Sequence, residues 1–288
     1  MKLEQLLREI AIRDFDGHNL KGPRKKFIYN WLKENGLNPK EDDYGNIWVE
    51  KGKKGDYLLY SSHIDVDRTR GSPNMNFKTE LVNNTVIYNG ILDNAVGCYL
   101  NMISAFKYNA KSRKLYVFSA CEEEEPGNPE NMSKSAKDVV NILKVRGIKP
   151  SLFVVLDANY PNPLVSVNEL DENWDNDSIN LFDNNDKTPC YIDYDDKNPN
   201  GIIAKQLGTD LLSNETLIKI RKFGWNGWDE SMVYNLVSPT LFFGPVVYGK
   251  MDRPNQRMPK KHLVIAEHFL KTISQNEILE TLIKKHQI

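Results

Sequence analysis

Four short stretches, each with a carboxylate or an imidazole where a strand pattern stops, constrain the fold of this chain more than any other feature. They are Tyr60-Ser61-Ser62-His63-Ile64-Asp65, Ile91-Leu92-Asp93, Val117-Phe118-Ser119-Ala120-Cys121-Glu122-Glu123-Glu124-Glu125 and Phe153-Val154-Val155-Leu156-Asp157. Short runs rich in Val, Leu and Phe read as strands buried in a sheet. Open α/β sheets place their ligands at the carboxyl ends of the strands. Chain ends of this kind would therefore bring their charged residues to one rim.

Helix and strand signals alternate around these runs. The patterning predicts helices over about 2–13 and 23–35, strands at Asn46–Glu50, Tyr57–Ser61 and Thr85–Tyr88, and a helix at Ala95–Phe106. Further strands are predicted at Lys114–Ala120, Ser151–Leu156, Cys190–Tyr194, Thr216–Lys222 and Pro239–Gly244. Helices are predicted at Ser133–Lys144, Gly201–Leu212 and about Lys261–Ile273. The fold class expected is α/β, with a mixed, mostly parallel central sheet flanked by helices on both faces. The segment over about 159–200 is rich in Asn and Asp and broken by Pro161, Pro163, Pro189 and Pro199. It reads as an irregular surface excursion around one short strand, so residues 1–288 are expected to form a single α/β domain.

Composition narrows the classes of partner. Lys and Arg total 38 against 39 Asp and Glu, which leaves no global field to attract nucleic acid or an anionic membrane. Arg24-Lys25-Lys26 is a short charged helix face without interleaved aromatics. Cys98, Cys121 and Cys190 are too widely spaced for a zinc knot or a disulfide framework, which fits a reducing compartment. No apolar run is long enough to span a bilayer, and the amphipathic start, with Leu3, Leu6, Leu7 and Ile10 on one face, lacks the form of a cleaved leader. A cytoplasmic location is expected, and a homo-oligomer is compatible with all of this.

Each charged strand end has an ordinary structural role open to it. His63 and Asp65 could form a surface ion pair, although a metal-binding imidazole does need an acceptor such as a carboxylate on its second nitrogen. Asp93 could cap the following helix, and Asp157 could be a turn residue. Runs like Glu122–Glu125 are usually solvated, yet carboxylates crowded at the mouth of a sheet repel one another unless a cation neutralises them.

Taken in order, His-x-Asp, Leu-Asp-Asn, Phe-Ser-x-x-Glu-Glu and Val-Leu-Asp resemble the zinc exopeptidase superfamily that includes aminoacylase, glutamate carboxypeptidase, peptidase T and the co-catalytic aminopeptidases. The likeness extends over nearly the whole chain. Asp43-Tyr44-Gly45-Asn46-Ile47 resembles the family's hairpin before the His-x-Asp strand, and Gly227-Trp228-Asp229 its Gly-x-Asp. Phe243-Gly244-Pro245, followed by Asp252-Arg253-Pro254-Asn255-Gln256-Arg257, is similar to its closing motif.

The resemblance implies a hydrolase of peptide or N-acyl amide bonds that uses water activated by two divalent ions. His63 and Asp157 would ligate one metal, Asp93 would bridge to a second, and Glu123 would bind that second metal. Glu122 would be the general base and Asp65 would orient His63. Aligning backward from Gly127 would instead select Glu124 and Glu125; the Glu122 and Glu123 pair keeps the strand free of insertions. The substrate class would be a small peptide or an N-acylated amino acid.

Two positions depart from the family. Asp252 stands where the last histidine ligand is expected, and Gln256 where a glutamate follows it. A second site of Asp93, Glu123 and Asp252 would be all oxygen, so manganese, cobalt or magnesium fits there beside the zinc implied by resemblance. His262 and His268, on the final helix, read as packing or surface residues. The excursion is also much shorter than the lid of many relatives. Trp225, Trp228 and Tyr248 could line an apolar pocket, though loop aromatics more often pack. The departures keep open a catalytically silent binding protein and a single-metal or non-peptide amidohydrolase.

Overall fold

The structure is a computed structural model that describes residues 3–66, 74–108, 112–123, 133–160, 188–213, 215–222, 230–249, 256–275 and 278–286. The helices are α1 (Leu3–Ala11), α2 (Pro23–Glu34), α3 (Ala95–Lys107), α4 (Lys134–Val145), α5 (Pro199–Leu211), α6 (Glu230–Asn235), α7 (Lys260–Gln275) and α8 (Ile278–Lys285). The strands are β1 (Lys40–Glu41), β2 (Ile47–Lys51), β3 (Lys54–His63), β4 (Phe77–Val82), β5 (Thr85–Gly90), β6 (Ser112–Ser119), β7 (Leu152–Leu156), β8 (Cys190–Tyr194), β9 (Ile218–Lys222), β10 (Thr240–Pro245) and β11 (Gln256–Pro259).

The main sheet has the order β1-β2-β6-β3-β7-β10-β8-β9. Its centre, β6-β3-β7-β10, is parallel, while β2 pairs antiparallel with β6 and β8 with β10. This is the mixed α/β architecture expected, and the reason lies in the apolar runs. All five residues of β7 are buried, as a parallel strand covered on both faces requires. Alternation sends Leu58 and Tyr60 of β3 into a core shared with α1, α2, α3, α5, α7 and α8. Leu59 turns the other way, toward a smaller core under α4 and α6. Among the described residues no helix is long and apolar enough to cross a membrane.

Cys190–Tyr194 is the short strand expected within the 159–200 segment: all five of its residues are buried, and it lies between β10 and β9. Residues 161–187 of that segment lie outside the described residues. The Thr85 strand, in turn, belongs to a separate antiparallel sheet of order β11-β5-β4. Its partner β4 is not buried, and its apolar residues Phe77, Leu81 and Val82 do not alternate with its polar ones, so it carries a weak strand signal, although Asn83-Asn84 marks the hairpin. Both asparagines adopt positive φ, at 48° and 62°, as the tight turn of a hairpin demands.

The start of α3 is welded to the end of β7. Asn94 caps the helix by accepting from Gly97 N at 2.7 Å, and its Nδ2 donates to Leu156 O at 2.9 Å. A Cβ on Gly97 would stand 2.0 Å from the Leu156 carbonyl oxygen and 2.1 Å from Asn94 Oδ1. Gly97→Ala should therefore destabilise the protein by about 1–3 kcal/mol through overpacking, despite a helix propensity gain of up to about 1 kcal/mol. Urea unfolding followed by circular dichroism checks this; a variant at least as stable as the parent would contradict the close approach.

Candidate metal centre

Parallel pairing brings the charged strand ends together. His63 closes β3 and lies opposite Ser119, the last residue of β6, after which the chain runs through Ala120 and Cys121 to Glu122 and Glu123. On the other side of β3, β7 ends at Leu156 and delivers Asp157. Asp93 arrives from the turn between β5 and α3. Gln256 of β11 fixes that turn: its Oε1 accepts from Leu92 N at 2.5 Å and Asp93 N at 3.0 Å. The Asp93–Asn94 peptide bond is cis.

His63 Nε2 lies 3.3 Å from Asp93 Oδ1, 3.4 Å from Asp157 Oδ2 and 3.9 Å from Glu123 Oε1. Donors about 2.0–2.1 Å from a tetrahedral zinc ion are about 3.3–3.4 Å from each other, so Asp93 Oδ1 and Asp157 Oδ2 each stand at that spacing from the imidazole nitrogen. Two groups of donors, His63 with Asp93 and Asp157 and His63 with Glu122 and Glu123, each fall within 4.8 Å. All of these residues are buried, as is Asp65. Five carboxylates around one imidazole repel strongly in such surroundings, and a divalent cation is the natural counter-charge. The donor set, one nitrogen and several oxygens, fits zinc or manganese.

The surrounding hydrogen bonds hold this arrangement. Asp65 Oδ1 takes His63 Nδ1 at 3.1 Å, while Oδ2 accepts from Glu122 N at 3.0 Å and Glu123 N at 3.1 Å. Asn46 Oδ1 accepts from Ala120 N at 2.9 Å, steadying the same β6 exit. Arg24 is fully buried: its Nε donates to Arg13 O at 2.8 Å and its Nη1 to Ile64 O at 2.9 Å, between His63 and Asp65. Burial lowers the Arg24 pKa from its usual value, against the opposing pull of carboxylates that include Asp65 and Asp93. Asp157 Oδ1 accepts from Ala158 N at 2.6 Å, and Asp93 Oδ2 accepts from the Tyr160 hydroxyl at 2.8 Å. Burial first, then the Asp93 charge, raises the Tyr160 pKa, which keeps the phenol a donor.

His63, Asp65, Asp93, Glu122, Glu123 and Asp157, the residues singled out in the sequence, thus meet at one place. Asp252, Glu124, Glu125, Trp225 and Trp228 lie outside the described residues. Tyr248 is buried against Ile87, Tyr191 and Val246, a packing role. His262 is buried with Nδ1 2.9 Å from Val246 O, and His268 is exposed, so both match the structural role expected. Tyr160 and Arg24 were not foreseen. Tyr160 follows Asp157 by three positions in a polar stretch with no periodicity to reveal its direction, and Arg24 sits in a basic cluster of the kind that is normally solvated.

Solved structures with the same fold include an aminopeptidase of the archaeon Desulfurococcus kamchatkensis, at 11% identity, with 97% of each chain covered and a TM-score of 0.68. A TET aminopeptidase of a marine sediment archaeon of the Thaumarchaeota has 8% identity, covers 97% of this chain and 99% of its own, and scores 0.68. The TET1 peptidase of Pyrococcus horikoshii, which can assemble into a tetrahedron or a large octahedral shell, has 12% identity, coverage of 95% and 99%, and a TM-score of 0.63. At these identities the likeness is one of fold. The sequence matches no protein-family model and no curated protein.

The imidazole sets a pH dependence. Burial alone would lower the His63 pKa, but Asp157 foremost, with hydrogen bonds from Asp157, Asp65 and Asp93, outweighs it and raises the pKa well above 6.5 in the metal-free chain. Because the folded value is raised, the imidazolium's contribution to stability is fully present below about pH 6.5 and is lost as pH rises through the folded value. A cation needs the neutral ring, so its uptake releases a proton and tightens over the same interval. The Tm gain that zinc gives chelator-treated protein should therefore grow with pH in thermal melts; a gain that shrinks with pH would contradict the assignment.

Proposed function

We propose that the chain is a metal-dependent hydrolase of peptide or N-acyl amide bonds, of the exopeptidase or deacylase type, acting as one catalytic unit over residues 1–288. The observation that carries this reading is the ligand spacing of His63, Asp93 and Asp157 beside the buried pair Glu122 and Glu123. The fold shared with aminopeptidases supports it.

His63 Nε2, Asp93 Oδ1 and Asp157 Oδ2 would hold a divalent cation, which supplies a water of lowered pKa and polarises the amide carbonyl. The chain's own groups supply the rest. Asp65 keeps the His63 proton on Nδ1, leaving Nε2 as a donor of its lone pair. Glu122, as general base, takes the water's proton and returns it to the departing amine. Its backbone N–H donates to Asp65 Oδ2 at 3.0 Å, which ties the backbone that carries this carboxylate to the His63 partner. The rim of the strand ends, lined by carboxylates, would receive a small peptide or N-acylated amino acid. Subunit assembly of the kind seen in the TET1 peptidase is a further part of this proposal.

Glu122→Gln removes the base and leaves the His63, Asp93 and Asp157 donors in place. Hydrolysis of a panel of aminoacyl arylamides and N-acyl amino acids should fall by about 10²–10⁴-fold while metal content stays at the parental level. Turnover close to the parent's would remove Glu122 from this role, and a metal-loaded parent inert on the whole panel would overturn the hydrolase reading. Asp65→Asn should weaken metal affinity by about 10–100-fold, measured by competition with a chromogenic chelator; unchanged affinity would show that the ring needs no such partner.

A further inference from the structure

Gln256 joins two residues around one candidate ligand. Its Oε1 accepts from Leu92 N at 2.5 Å and from Asp93 N at 3.0 Å, so the amide stands with its oxygen toward the turn that carries Asp93. The other end of the amide, Nε2, is thereby turned to the Tyr160 hydroxyl oxygen, to which it donates at 3.4 Å. An amide nitrogen donates and does not accept. The phenol keeps its own proton for Asp93 Oδ2, 2.8 Å away. The 3.4 Å contact is long, so its part is to set direction, while the bond to the carboxylate is charge-assisted and carries the strength.

Tyr160 is firmly placed for this. Asn159 N donates to Pro245 O at 2.9 Å and Val247 N to Asn159 O at 2.7 Å, which continues the parallel pairing of β7 with β10 up to the residue before Tyr160. Arg221 Nη1 donates to Tyr160 O at 3.0 Å and Nη2 to Asn159 Oδ1 at 2.6 Å, and Arg221 is itself held by two bonds of 2.8 Å to Asp193. Gln256 is fixed in its turn at the start of β11, opposite Gly90 of β5. Gln256, Tyr160 and Asp93 are all buried, so a donor lost among them is not readily replaced by solvent.

From these contacts we infer that Gln256 and Tyr160 act together as positioning residues for Asp93: the amide directs the phenolic proton onto Asp93 Oδ2, and that bond fixes the carboxylate whose Oδ1 faces His63 Nε2 at 3.3 Å. The inference rests on the metal-dependent reading proposed above and deepens it by naming what orients one of the ligands. A carboxylate in place of the amide would still accept from Leu92 N and Asp93 N, but its second oxygen would compete with Asp93 for the phenolic proton. Shape would be kept and the direction of one bond would be lost.

The test is the zinc affinity of the full chain, by competition with a chromogenic chelator, for the parent, Gln256→Glu, Tyr160→Phe and the double variant. Tyr160→Phe should bind zinc about 10–100-fold more weakly than the parent, the cost of losing a partner of a metal ligand. The negative charge added by Gln256→Glu acts in both backgrounds, so the cycle decides. The ratio of affinities before and after Gln256→Glu should be at least about 3-fold larger with Tyr160 present than in the Tyr160→Phe background, as for residues in one hydrogen-bond network. Independent effects would overturn the joint action, and parental affinity in Tyr160→Phe would remove the phenol from this role. Both results leave the metal-dependent reading standing, whereas a parent that takes up neither zinc nor manganese would overturn that reading and the inference together. A crystal structure of the zinc-loaded parent gives a check for which no variant has to fold. The Tyr160 hydroxyl should lie within hydrogen-bond reach of Asp93 there, and a phenol turned away would refute the inference.

Discussion

The carboxylate of Asp65 is the point at which two strand ends become one structure. One oxygen fixes the His63 ring and the other gathers the successive N–H groups of Glu122 and Glu123, so the exit of β6 is held against the exit of β3. Hydrogen bonds to a buried charge are about twice as strong as neutral ones, and here three are drawn to one group. Space for this carboxylate is kept by Gly17, where a Cβ would come within 2.7 Å of Asp65 Oδ2 and 2.4 Å of Ala120 O. The N-terminal loop is thus shaped around the same contact.

Negative charge at the rim has to be balanced from beneath as well as from above. Arg24 places a guanidinium under the β3 exit and donates to the backbone carbonyls of Ile10, Arg13 and Ile64. A buried acid, Glu230, accepts from Ser61 Oγ at 2.8 Å and also from Ser119 Oγ, tying α6 to the same two strands from the opposite face. Groups of this sort lie outside the cluster of His63, Asp93 and Asp157 and hold its residues in register, the arrangement by which outer groups orient the ligands of a metal site.

Much of this was legible in the order of residues, because strands that end in charge must expose it at a sheet edge or leave it uncompensated. The apolar runs ending at His63 and Asp157 specify both a strand and its direction, and the parallel pairing follows. What could not be read was whatever depends on polar loops and long-range contacts. β4 lacks the alternation of apolar and polar residues that signals a strand, and Tyr160 has meaning only once Arg221, sixty-one positions later, is known to clamp its carbonyl. Gln256 reads in sequence as the loss of an acid. In the fold its amide is suited to the place, since it accepts from two N–H groups with one end and donates to a phenol with the other, which a carboxylate could not do.

The order of strands has a kinetic side. β7 must sit between β3, from the first quarter of the chain, and β10, from the last, and the Asp157 N–H is bonded to Phe243 O at 3.1 Å. Pairings so distant in sequence incur their loop-closure entropy before they return any enthalpy, which slows folding. A nascent or nicked chain ending before β10 would carry His63, Asp93, Glu122 and Asp157 yet lack the strand that seats Asp157 and the glutamine that seats Asp93. Cation capture would then come after the topology is complete, locking a finished fold and guiding none of the earlier steps.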